Sequence, residues 1–116
     1  MPSAFGIALT ALKAFDKKLD VSANNVANVE TNNFRKNRVE FQENADGGVQ
    51  VTISSVDTPG MEIEPNGRTG EAQQTSNVSL EEEIADQIVT RYSYEANILS
   101  VKTAAEIEKE LLNIKV

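Results

Sequence analysis

Two stretches of this chain repeat apolar residues at alternating steps of three and four, one at each end, and turn residues break everything between them. Near the N-terminus the series runs Phe5, Ala8, Leu12, Phe15, Leu19, Ser22, Val26 and Val29, with Ser22 as its one polar member. Ile7, Leu9, Ala11 and Ala14 widen it at the start. Near the C-terminus it runs Ile84, Ile88, Val89, Tyr92, Ala96, Leu99, Thr103, Ile107, Leu111 and Ile114, with no Gly or Pro inside it. Such spacing puts side chains on one face of an α-helix, and over several heptads it is the pattern of helices that pack lengthwise.

Three parts follow. Residues 1–33 are expected to form an amphipathic helix that starts at Pro2 or Ser3 and would be roughly 40 Å long at 1.5 Å per residue. Asn24, Asn25, Asn28, Asn32 and Asn33 crowd its end. Asn tolerates the left-handed conformation, so the helix is expected to stop between Val29 and Asn33. Residues 77–116 form the second helix. Ser79 and Glu82 make a capping-box pattern, and Glu81, Glu82 and Glu83 sit where the helix dipole favours negative charge. Residues 34–76 hold two of the three prolines and five of the six glycines. Val49, Val51 and Ile53 alternate with polar residues and read as a strand; Met61 to Glu64 reads as a weaker one. Asp57-Thr58-Pro59-Gly60 between them is a turn signal, and Asp46-Gly47-Gly48, Asn66-Gly67 and Thr69-Gly70 are others. Phe34, Val39 and Phe41 suggest a further extended segment. The predicted fold is mainly α: two long terminal helices packed as a coiled-coil-like pair around a short β-hairpin module. The two helices would bury their apolar stripes against each other, leaving some of each stripe for further copies of the chain.

Composition narrows the chemistry. The 116 residues include no Cys, His or Trp, and 18 acidic against 11 basic residues give a net charge of −7. Without Cys there is no disulfide framework, thiolate metal site or cysteine nucleophile; without His the usual general base and the commonest metal ligand are missing. No catalytic, cofactor-binding or metal site is assigned. The acidic triplet 81–83 needs no cation to explain it, Asp46 to Gly48 lacks alternating oxygen ligands, and Tyr92 and Tyr94 read as packing residues. Asn77-Val78-Ser79 matches a glycosylation sequon, a pattern common by chance. Nucleic acid is not an expected partner, since the basic residues cluster only at Arg35, Lys36 and Arg38. No segment has the apolar run of a membrane span. Ala4 to Leu12 is apolar, but no basic residue precedes it and Lys13, Asp16, Lys17 and Lys18 follow, so it does not read as a secretory leader.

Specific residues carry a resemblance. The run Ser22-Ala23-Asn24-Asn25-Val26-Ala27-Asn28, followed by Thr31-Asn32-Asn33-Phe34, resembles the N-terminal signature of bacterial flagellar rod and hook proteins. Ser76-Asn77-Val78 with Glu82 and Glu83, then Arg91-Tyr92-Ser93-Tyr94-Glu95-Ala96-Asn97 and Lys102-Thr103-Ala104-Ala105-Glu106, resembles their C-terminal signature. The short middle is most similar to the proximal-rod type. Asn33 stands where the family usually has Gly before the aromatic, Ser79 where it often has Asp, and Thr90 where it has Gln. Asn keeps a positive φ accessible and Ser caps a helix as Asp does.

The resemblance implies an axial structural subunit of the flagellar basal-body rod, not an enzyme. It implies export through the flagellar type III apparatus without a cleaved signal, and partners that are other copies and other rod subunits, in a tube that crosses the periplasm with the insert facing outward. Expected subunit-packing residues are Phe5, Leu12, Phe15, Leu19, Asn24, Val26, Asn28, Phe34, Ile88, Tyr92, Ala96, Asn97, Leu99, Ile107 and Leu111. Among them, Asn24, Asn28 and Phe34 stand out because buried amides can fix helix register. In dilute monomer the terminal segments are expected to be largely disordered or weakly helical. Two other readings stand beside it: a soluble helical adaptor or export chaperone of the flagellar system, and a carboxylate-dependent enzyme, for which no two acidic residues converge away from exposed helix faces.

Overall fold

The computed structural model describes residues 3–63 and 73–114. Its elements are helix α1 (Ala4–Ala27), strands β1 (Asn37–Glu43), β2 (Val49–Ser55), β3 (Glu62–Ile63) and β4 (Gln73–Gln74), and helix α2 (Leu80–Ile114). The fold is mainly helical with a small β part, as the periodicity implied.

Helix α1 starts where Ser3 caps it: the Ser3 hydroxyl accepts from the Gly6 N–H at 3.1 Å. It ends at Ala27, before the expected 29–33, because Asn28 closes it. The Asn28 side-chain amide donates to the Asn24 carbonyl at 2.9 Å, and the Thr31 N–H turns back to the Asn28 carbonyl at 3.1 Å. Orphan carbonyls of the last turn are thereby satisfied locally. Asn33 follows with φ +64°, the left-handed conformation anticipated for it. Helix α2 begins behind Ser79, whose carbonyl accepts from Glu83 N–H at 3.0 Å.

The hairpin differs from the expected one. Strand β2 pairs backward with β1, Val39 opposite Ile53 and Phe41 opposite Val51, and not forward across Asp57 to Gly60. The tight connection Asn44 to Gly48 decides this. Gly47 and Gly48 have φ of +84° and +96°, and the Asn44 N–H bonds the Gly48 carbonyl at 3.0 Å. Left-handed residues at both positions give the twist a short hairpin needs. Phe34 precedes the strand; Val39 and Phe41 lie in it. Strand β3 pairs instead with β4, Glu62 opposite Gln74. Glu64 and the turn signals at 66–67 and 69–70 lie outside the described residues, as does Pro2.

Helix α1 is the central element. Helix α2 runs antiparallel beside it: Asn97 lies against Ala8 and Glu83 against Ser22. The hairpin covers another side of α1. Thr10 accepts from the Val49 N–H at 3.0 Å, the Phe15 and Phe41 rings meet edge-on at 5.5 Å, and Lys18 sits over Phe41 at 5.6 Å. Ala14 is the one fully buried apolar residue among the described residues. The particle measures 81 × 26 × 15 Å. Its accessible surface is 8665 Å², against about 6,200 Å² for a compact monomer of this mass.

Candidate functional site

What α2 turns toward α1 is its polar side. Glu83, Gln87, Thr90 and Asn97 follow one another at helical spacing on that side. The Glu83 carboxylate, 8% exposed, accepts from the Ser22 hydroxyl at 2.6 Å and from the Asn25 amide at 3.0 Å. The Gln87 amide donates to the Ser22 hydroxyl at 3.0 Å, and that of Asn97 donates to the Ala8 carbonyl at 2.7 Å. Asn25, 2% exposed, also reaches the hairpin. Its amide donates to the Asn37 carbonyl and its oxygen accepts from the Asn37 N–H, both at 2.9 Å. One side chain thus ties α1, β1 and α2 together. A buried polar group must find a partner, so Ser22 and Asn25 select the polar side of α2.

This corrects the expected pairing of apolar stripes. The stripe of α2 faces away from α1: Ile88 is 52% exposed, Tyr92 70% and Leu99 65%. Ile84, Ile107 and Leu111 are exposed as well, and so is Ala96. Since α1 has only 24 residues to the 35 of α2, the last turns of α2 project past its start. On α1, Leu12, Phe15, Leu19 and Val26 are half-buried, and Phe5 lies at the exposed edge.

Within the chain, Asn24 and Asn28 do not join the two helices. Asn24 is exposed and offers only its carbonyl to Asn28, which caps its own helix. The residue that fixes register is their neighbour Asn25. Phe34 is half-buried, and its carbonyl accepts from the Asn77 N–H at 3.4 Å. Asn77 is fully engaged. Its oxygen accepts from the Lys36 N–H at 2.6 Å, and its amide donates to the carbonyls of Val56 at 2.8 Å and Thr58 at 3.0 Å. It therefore splices the loop after β2 to the entry of β1.

A cavity of about 460 Å³ lies between α1, β1 and α2. Lys18, Lys36 and Arg38 line it opposite Glu82 and Asp86, with Glu83 among its walls. Lys36 and Glu82 form a salt bridge at 3.5 Å. Among the described residues no group of acidic side chains is arranged to hold a metal ion, and no helix is long and apolar enough to cross a membrane. The arrangement fixes helix register within the chain and leaves the apolar face of α2 exposed.

Two family models match the chain. Residues 5–35 match the one described as flagella basal body rod protein, and residues 70–114 the one described as flagellar basal body rod FlgEFG protein C-terminal. The two matches fall on α1 with its exit turn and on α2 with the segment leading into it. Both describe structural rod proteins. A comparison with curated proteins found no match.

Proposed function

The chain belongs to the family of flagellar basal-body rod proteins, and from that premise we propose that it is an axial subunit which assembles by lateral packing of its terminal helices against other rod subunits and other copies of itself. The observation that carries this reading is the outward apolar face of α2. The polar hydrogen bonds of Ser22, Asn25, Glu83 and Asn97 pair the helices within a chain and leave Ile88, Tyr92 and Leu99 for neighbours. A row of exposed large apolar side chains of this kind fits an interaction site. The small core agrees with it, because a chain with so little buried apolar surface gains much of its stability from binding.

Delivery by the flagellar export apparatus without a cleaved leader, and an insert facing outward, belong to the same proposal. The subunit-packing role of Phe5, Leu12, Phe15, Leu19 and Val26 is also part of it, as is that of Ile107 and Leu111. The test is a deletion strain with isolated basal bodies viewed by electron microscopy. Shortened or missing rods and lost motility are expected. Intact rods with normal swimming would overturn the assignment.

A further inference from the structure

We propose that α2 of one copy packs antiparallel on the outer side of α1 of a second copy, so that Leu99 meets Leu9, Glu95 meets Lys13 and Arg91 meets Asp16. This contact rests on the axial-subunit reading and gives it a partner and a register.

Within the chain α1 is covered on two sides, by α2 and by the hairpin. On its third side Leu9, Lys13, Asp16 and Asp20 are exposed. The bare side of α2 carries Tyr92 and Leu99 flanked by Arg91 and Glu95, all exposed. Among the described residues the salt bridges are Lys36–Glu82 and Arg38–Glu40, so Lys13, Asp16, Arg91 and Glu95 are not engaged in one.

Charge selects the partner. Helix α2 carries eight acidic and three basic residues, whereas α1 carries three basic and two acidic. Two α2 helices side by side repel each other; α2 against α1 does not. Charge also selects the register. With Leu9 opposite Leu99, the next helical steps bring Lys13 to Glu95 and set Arg91 level with the exposed Asp16 and Lys17, of which Asp16 shares the Leu9 side of α1. A slip of one heptad toward the C-terminus puts Lys13 opposite Lys102 and Leu9 opposite Glu106. The reverse slip leaves Lys13 against Ile88 and Asp16 against Ile84. The favoured register also lies within one helical turn of the pairing inside the chain, where Ala8 meets Asn97 and Ser22 meets Glu83. A second copy therefore sits beside the first at nearly the same height. Because two different surfaces meet, each copy offers one of each, and addition continues until the curvature closes on itself.

Since the chain has no cysteine, the contact can be trapped cleanly. A Lys13→Cys variant mixed with a Glu95→Cys variant under mild oxidation is expected to give mainly mixed dimers. Same-variant dimers, or none, would overturn the contact. In sedimentation velocity, Lys13→Glu is expected to raise the concentration needed for association about fivefold, the scale of one surface ion pair turned repulsive. Adding Glu95→Lys in the same chain should restore it, and far-UV circular dichroism would show the helices retained. Failure of the double reversal to restore association also counts against the contact. Immunodetection of the chain in isolated basal bodies tests the underlying reading separately. A chain present there that gives no mixed dimers refutes the contact alone, and one absent there that gives them refutes the reading alone.

Discussion

Asn25 touches three elements with one amide. Removing it strands the Asn37 N–H and carbonyl and withdraws a donor from the buried Glu83 carboxylate. Leaving buried polar groups unpaired costs their full desolvation, so Asn25→Ala is expected to lose about 2–4 kcal/mol. Asn24→Ala, on the exposed side of the same turn, should cost less than about 0.5 kcal/mol. Thermal midpoints of the two variants by circular dichroism check the contrast; equal shifts would remove Asn25 from its central role. Little of this was legible beforehand. Five asparagines crowd one helix end and each reads as a helix stop; the resemblance pointed to Asn24 and Asn28, and only the positions of Asn37 and Glu83 in space single out Asn25. Asn33 was legible through the resemblance, since it stands where the family usually has Gly and Asn keeps a positive φ accessible.

At the scale of elements, the hairpin acts as a clasp on α1, and its tightest point is Gly48. Its φ is +96°, and a Cβ there would stand 3.0 Å from the Thr10 hydroxyl. Gly48→Ala is expected to destabilise the hairpin by about 1–2 kcal/mol through backbone strain. Thr10→Val should weaken the same contact by removing the acceptor of the Val49 N–H. Amide exchange in β1 and β2 reads both; unchanged protection would show that the clasp does not depend on Thr10. The helices were legible from period alone, and so was β2. The partner of β2 was not, because two turn signals competed and only the two positive-φ glycines of the nearer one close a ladder. Nor did the period tell which way the α2 stripe points. A heptad says that a face exists, and the polar residues between its members, here Glu83, Gln87 and Asn97, decide what it meets.

For the whole molecule, the elongated shape and scant core predict a chain that is poorly ordered alone. Hydrogen exchange on dilute protein is expected to show weak protection from Phe5 to Val26, rising with concentration; strong protection at high dilution would contradict this. Ile88→Asp with Leu99→Asp should leave the polar pairing of α1 and α2 intact, because neither side chain lies in it. Motility should nevertheless fall when this variant replaces the native chain, and a swimming-plate assay with wild-type spread would show the face to be idle.

The unequal helices have an architectural corollary. The eleven residues by which α2 exceeds α1 amount to about 16 Å at 1.5 Å per residue. In the assembly proposed above, that overhang would leave a step between one tier of copies and the next, so that successive tiers would overlap like shingles and share bending at each junction.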